Sequence, residues 1–384
     1  MQVYLDNTAT SWPKPLTVAL KISEYLNEYG ASPGRSGHKL ALKASQIVSD
    51  TREMLAEMFN AETSDRVIFT ANATASTNII FKGILKKGDH VIISSMEHNS
   101  TYRPLRFLET HGIIELTVLD CDILGNFDTK KLINSIRKNT RIVSTIHGSN
   151  VIGTVFPITE IGKICREHGI IYHVDAAQTA GFTPIDVQKS KIDILSFTGH
   201  KKLYGPPGIG GIILGKDIEI DTLLHGGSGS NSESDSHPDF YPNKLEAGTP
   251  NTVGIAGLNA GINFIKENTQ QKIYSHSQEI TKYFLEQLED IKELKIHGPS
   301  KEYVVLPVIS VSSDIYSPGS MAAHLDSKYG IMTRSGLMCS PLAHKTLGTF
   351  PQGLLRFSLG YFNTKEEIDY TVRSVKSIFK NKEI

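Results

Sequence analysis

The sequence is poor in the features that mark secreted, membrane-bound or nucleic-acid-binding chains. Only three cysteines occur in 384 residues, and Cys121, Cys165 and Cys339 are too scattered for a disulfide framework or a zinc knuckle. Formal net charge is zero, with 40 Lys plus Arg against 40 Asp plus Glu, so no global field draws the chain to nucleic acid or anionic lipid. No apolar run approaches the roughly 18 residues of a membrane span. The start Met1-Gln2-Val3-Tyr4-Leu5-Asp6 lacks the charged-then-apolar plan of a secretory signal. No nucleic-acid partner, no membrane and a cytoplasmic location are the expectations. The 14 histidines are dispersed and no H-E-x-x-H occurs, which disfavours a metal site.

What is present is an ordinary globular composition, 39% hydrophobic, on a chain long enough for a large core. Seven β-rich apolar runs alternate with helical patterns: 67–69, 91–94, 116–119, 141–146, 170–174, 192–197 and 211–214. This alternation predicts an α/β fold with a mostly parallel seven-stranded sheet flanked by helices. Apolar residues at three- and four-residue spacing predict helices over 15–29 and 40–58, and the stretch 252–291 reads as one or two more. Strand patterns at 303–311 and 354–359, with a helical pattern at 365–380, predict a smaller α+β C-terminal domain. The expected division is an N-terminal segment 1–14 joining the small domain, a large domain 15–252 and a small domain 253–384.

In parallel sheets, ligands gather beyond the carboxyl ends of the strands. One strand pattern ends in Val174-Asp175-Ala176-Ala177-Gln178; a buried carboxylate there implies a cation or strong donor facing it, with a helix N-cap as the alternative. The next ends in Thr198-Gly199-His200-Lys201-Lys202, where a partly desolvated lysine can become an imine-forming amine. Asp175 and Lys201 together match the needs of pyridoxal 5'-phosphate, an acidic partner for the pyridine nitrogen and an amine for its aldehyde carbon. The segment Thr70-Ala71-Asn72-Ala73-Thr74 opens a helix whose free N–H groups can hold an anion, or is simply a capped helix start. His98 and Asn150 follow two further strand patterns, one able to lie against a ring, the other to contact a ring hydroxyl.

With these motifs the sequence resembles the cysteine desulfurase and selenocysteine lyase branch of the class V aminotransferases, pyridoxal phosphate enzymes of fold type I. The resemblance also rests on Tyr4-Leu5-Asp6-Asn7, Gly34-Arg35-Ser36-Gly37-His38, Ser149-Asn150-Val151-Ile152-Gly153, Glu246-Ala247-Gly248-Thr249-Pro250-Asn251 and Arg334-Ser335-Gly336-Leu337-Met338-Cys339. It implies Lys201 on the cofactor aldehyde carbon, Asp175 on the pyridine nitrogen, and Gln178 and Asn150 on the ring hydroxyl. It places His98 on the ring face, and Ala73, Thr74, Thr198 and His200 around the phosphate. Thr249 would reach the partner subunit's phosphate in a homodimer. Arg356 would grip the substrate carboxylate, with Arg334 and Asn7 beside the substrate. Cys339 would be the nucleophile that takes sulfur from L-cysteine as a persulfide, releasing alanine and passing the sulfur to an acceptor protein or other thiol.

Several positions depart from that pattern. Lys202 stands beside Lys201, and counting back from Tyr204-Gly205-Pro206 would favour it. Leu337 and Met338 precede Cys339 where many desulfurases carry histidine, leaving the proton donor to be supplied elsewhere, with His98 as candidate. Asn72 and Ala75 replace a common glycine and glutamate. Selenocysteine lyase and class V transamination are the competing reactions, and a non-enzymatic scaffold is the remote one. Gly205-Pro206-Pro207-Gly208-Ile209-Gly210 precedes a strand pattern, so it is not a dinucleotide fingerprint.

Overall fold

A computed structural model describes residues 1–384 except 35, 231, 232, 304 and 383; Arg35 of the Gly34 to His38 motif thus lies outside the described residues. The chain opens with β1 (Val3–Tyr4), α1 (Leu16–Glu28) and α2 (Lys39–Phe59). Alternation follows: β2 (Val67–Thr70), α3 (Ala73–Ile84), β3 (Asp89–Ser94), α4 (Asn99–Thr110), β4 (Ile114–Leu119), α5 (Thr129–Ser135), β5 (Thr140–Ile146), α6 (Ile158–Glu167), β6 (Ile171–Asp175), β7 (Ile194–Thr198) and β8 (Gly210–Leu214). The remainder is α7 (Thr252–Asn268), α8 (Gln270–Glu289), β9 (Lys295–His297), β10 (Val308–Ser312), α9 (Pro318–Tyr329), β11 (Ile331–Met332), β12 (Arg334–Gly336), α10 (Pro341–Thr346), β13 (Leu354–Ser358) and α11 (Lys365–Asn381).

All seven apolar runs enter one sheet, ordered β2-β8-β7-β6-β5-β3-β4. Its pairings are parallel from β4 to β7, while β8 runs antiparallel to both β7 and β2. β6, β7 and β8 are buried along their whole length, which is why they read as unbroken apolar runs: helices cover both faces. Gly210 lets the loop before α3 approach the sheet, because a Cβ there would lie 2.9 Å from Asn72 Cα and 2.7 Å from the Phe197 carbonyl. The Asn72 side chain caps α3 by accepting from Ala75 N–H at 2.9 Å, fixing a helix N-terminus at the sheet edge.

The second sheet, β12-β13-β10-β9, is antiparallel, and β1 pairs in parallel with β11. The N-terminal dozen residues therefore cross to this smaller layer. Of the strand expected over 303–311, the described part runs from Val308, just after Pro307, which has no N–H to give a ladder. The expected boundary at 253 falls one helix early. Ile255, Leu258, Ile262 and Ile265 of α7 lie in the same apolar core as the large sheet, and the chain breaks at Thr269, φ 61°, before α8 turns its Ile280, Phe284 and Leu288 into the small-layer core. No helix among the described residues is long and apolar enough to cross a membrane.

Candidate active site

The carboxyl ends of β5, β6 and β7, the N-termini of α3 and α4, the N-terminal segment and the β12–β13 layer enclose one cleft of about 280 Å³. It is lined by twelve of the fourteen residues singled out in the sequence: Lys201, Cys339, His98, Asp175, Gln178, Asn150, Ala73, Thr74, Thr198, His200, Arg334 and Arg356. Residues separated by up to 283 positions in sequence, Ala73 and Arg356, thus face one space.

Asp175 is the last residue of β6 and is buried. Burial raises its pKa, opposed by the Ala177 N–H, the nearby Lys201 charge and the Ser100 hydroxyl. Its Oδ1 accepts from Ala177 N–H at 2.9 Å and its Oδ2 from Ser100 Oγ at 3.3 Å. Beneath it, Glu97 is fully buried and pushed up to about 8 by burial. A carboxyl held largely protonated in this way spares Asp175 a second full negative charge. His98 caps α4: its Nδ1 accepts from Ser100 N–H at 3.0 Å, which leaves the neutral ring's proton on Nε2. Burial, then the charges of Lys201, Arg103 and Arg356, lower its pKa to about 4.

The two adjacent lysines separate cleanly. Lys201 lines the cleft, and burial lowers its amine to about 8 against the raising influence of Asp175. Lys202 points into the protein, donating to the Leu359 carbonyl at 3.3 Å over the Phe182 ring. The loop that carries Lys201 is pinned from the N-terminus: the His200 carbonyl accepts from Ser11 N–H, Thr10 Oγ1 and Lys14 Nζ at 3.1, 2.9 and 2.7 Å.

Arg356, in β13, is almost wholly buried. Its Nη2 meets Asp6 at 2.6 Å and its Nη1 donates to the Asn150 carbonyl at 2.8 Å, while Nε is buried without a partner. Two of its five N–H groups are thus engaged, and a carboxylate entering the cleft finds Nε–H and the second N–H of each Nη on a guanidinium whose plane is already fixed. Arg334 faces it across the β12–β13 register and is exposed.

Cys339 is exposed and sits in an unusual turn, with Met338 at φ 49° and Cys339 at φ 59°. Two consecutive left-handed non-glycine residues cost about 1 kcal/mol or more each and persist only where neighbours hold them. Here Asn150 does so: its Nδ2 donates to the Met338 carbonyl at 2.8 Å and its Oδ1 accepts from Ser340 Oγ at 2.9 Å. The Cys339 carbonyl accepts from Asn99 N–H at 2.8 Å. Asn150, expected on a ring hydroxyl, keeps a single side-chain N–H for that contact and is otherwise the clamp of the cysteine turn. Asn150→Ala is expected to lower kcat about 100-fold, the scale of a small misplacement of a reacting group, with faster alkylation of Cys339 by iodoacetamide as the turn loosens.

Two expected residues lie elsewhere. Asn7 does not line the cleft; its Nδ2 is shared among Tyr4 and Ser358 carbonyls and Asn363 Oδ1 at 3.2–3.4 Å, and its Oδ1 accepts from Trp12 N–H at 3.2 Å. It ties the N-terminal segment to β13, with its Nδ2 engaged there. Thr249 is exposed on a bend outside its own chain's cleft. Conversely, Asp6, Ser100, Ser340 and Thr8 take part in the site without having been singled out by function. Asp6 lay within a motif already quoted, but only the fold reveals that its partner is Arg356.

The cleft fits a phosphorylated pyridine aldehyde. Thr198 Oγ1, His200 Nδ1 and Thr8 Oγ1 are buried with no hydrogen-bond partner, and the first two stand beside the α3 N-terminus, where an anion is favoured.

The class-V aminotransferase family model matches residues 3–371. A probable cysteine desulfurase of Methanothermobacter thermautotrophicus is 33% identical over 382 residues, covering 98% of this chain and 94% of that protein. The cysteine desulfurase IscS of Dictyoglomus turgidum is 32% identical over 394 residues, covering 99% and 95%. The apo structure of a cysteine desulfurase from Thermococcus onnurineus superposes with a TM-score of 0.91 at 32% identity, covering 99% of this chain and 95% of that one. The chain belongs to the class-V aminotransferases, in their cysteine desulfurase branch.

Proposed function

We propose that the protein is a pyridoxal phosphate-dependent cysteine desulfurase that converts L-cysteine to L-alanine, holds the released sulfur as a persulfide on Cys339 and passes it to an acceptor. The observation that carries this reading is that the Lys201 amine, the Arg356 guanidinium and the exposed Cys339 line one cleft. Thr198, His200, Ala73 and Thr74 would hold the cofactor phosphate, Asp175 its pyridine nitrogen, Gln178 its ring hydroxyl and His98 its ring face. When bound, pyridoxal phosphate supplies an electron sink for the bonds around the substrate Cα.

The chain's own groups do the rest. Arg356 fixes the substrate carboxylate and so the direction of the Cα–H bond. Lys201, with its amine near 8, holds an unprotonated fraction at neutral pH and takes the Cα proton at Nζ. The Cys339 thiolate attacks the substrate sulfur, forming the S–S bond as the C–S bond breaks. His98, neutral with its proton on Nε2, is the imidazole on the Cys339 side of the cleft and offers a hydrogen bond there, while the proton delivered to the product is the one Lys201 Nζ took from Cα. A homodimer accords with the exposed Trp12, Leu16 and Leu20 near the N-terminus and Leu40 and Leu42 on α2, and with Thr249 lying free of its own cleft.

The deciding measurement is product analysis with L-cysteine and a thiol reductant. Equal yields of alanine and sulfide are expected; pyruvate with ammonia would mean β-elimination. Arg356→Lys keeps a charge but loses the planar fork, and is expected to raise KM about 10- to 100-fold with a smaller change in kcat, as for a lost charge-assisted hydrogen bond.

A further inference from the structure

Cys339 borders two spaces. One is the cleft; the other is a hollow of about 410 Å³ on its outer side, which shares Thr74, His98 and Ser100 with the cleft. The walls of the hollow are two helical stripes. Thr74, Asn78 and Lys82 recur every fourth residue on α3, and Asn99, Arg103 and Phe107 every fourth residue on α4, so each set forms one face. The helices pack together, and the channel between the stripes runs for about 12 Å, eight residues at 1.5 Å each. Its head is Cys339 and its far end is Lys82 and Phe107. No carboxylate lines it, and among the described residues neither Lys82 nor Arg103 makes an ion pair. On a chain of zero net charge, this is a local excess of two cations beside the nucleophile.

The clamp on the cysteine turn gives that hollow a use. With Met338, Cys339 and Ser340 each tied by a hydrogen bond, the turn holds Cys339 between the cleft and the hollow, where an acceptor can come to it. We propose that the α3–α4 hollow is the acceptor's binding site, and that the acceptor it takes is a small thiol carrying a carboxylate. The proposal rests on the desulfurase reading. The thiol enters with its sulfur at Cys339 and its carboxylate against Arg103, with Lys82 reaching a second or more distant anion. Its thiolate attacks the outer sulfur of the Cys339 persulfide; the Cys339 S–S bond breaks, a new one forms on the acceptor, and the proton shed by the acceptor thiol returns to the Cys339 thiolate. No oxidant or reductant is consumed.

The test uses the loaded enzyme with L-cysteine and two thiols, anionic 3-mercaptopropionate and neutral 2-mercaptoethanol, comparing wild type with Lys82→Gln/Arg103→Gln. Alanine formed in a single burst from one equivalent of L-cysteine per active site, too little for the substrate thiol itself to act as acceptor, reports the first half of the reaction, and its amplitude is the same in the double variant even where the nearby Arg103 charge alters its rate. The half-saturating concentration of 3-mercaptopropionate is expected to rise about fivefold in the variant, the scale of one exposed ion pair, and to rise in wild type with added salt. That of 2-mercaptoethanol is expected to stay constant. A normal burst with both thiols affected alike, or neither, overturns the acceptor site alone. No burst in wild type overturns the desulfurase reading and the acceptor site with it.

Discussion

Lys201→Ala is expected to abolish the visible absorption of lysine-bound cofactor and to cut alanine production by about 10³-fold or more, since in the proposed mechanism one side chain both carries the cofactor and moves the Cα proton. The neighbouring lysine provides the control. Lys202 is buried against the Leu359 carbonyl and the Phe182 ring, away from the cleft, so Lys202→Met is expected to keep the colour and most of the turnover. Its effect belongs to stability. Burial lowers the Lys202 amine to about 7 from an ordinary 10.5. Between those values the unfolded chain holds a proton that the folded protein has released, so this group's contribution to stability rises with pH across that window. Below about 7 the folded protein must bury the charge. Lys202→Met removes the dependence, and thermal melts of the two proteins are expected to differ most at pH 6 and to converge by several degrees towards pH 10. Retained colour in Lys201→Ala with loss in Lys202→Met would exchange their roles.

The architecture was legible because the sheet is covered on both faces: each strand of 67–70, 89–94, 140–146, 171–175, 194–198 and 210–214 is an apolar run whose end carries, or lies next to, a polar motif. Strand order and the reversed direction of β8 were not, because periodicity says nothing about neighbours. The division of α7 from α8 was also hidden: both helices are amphipathic, and which core each serves depends on Thr269, a residue with no strong sequence signal for a break.

Within the site, motifs at strand ends pointed to Asp175, Lys201 and His98, and the family resemblance to Cys339, but they gave side chains without their partners. Asn7 and Asp6 are adjacent in one motif; the fold turns Asn7 inward to the Ser358 carbonyl and Asn363, and sets Asp6 against Arg356. Asn150 shows the same limit, since its ties to Met338 and Ser340 span about half the chain. Such long-range hydrogen bonds leave no trace in local spacing, and they determine whether a polar residue faces the substrate or holds another residue that does.

That distinction bears most on Cys339. Cys339→Ser keeps the size of the side chain and the hydrogen bonds of the turn, all of which run through backbone carbonyls or Ser340. What it removes is a sulfur nucleophile, in favour of a hydroxyl oxygen that is a far weaker one. The expected result is a loss of alanine and sulfide formation of about 10³-fold with the cofactor absorption intact. In the proposed mechanism the proton chemistry at Cα belongs to Lys201 and survives, so L-cysteine incubated with the variant in heavy water is expected to exchange its α hydrogen. Exchange without products would place Cys339 after Cα–H cleavage, at the C–S bond. Full product formation by the serine variant would instead mean that sulfur leaves without a protein nucleophile, and the turn held by Asn150 and Asn99 would then have no part in the reaction.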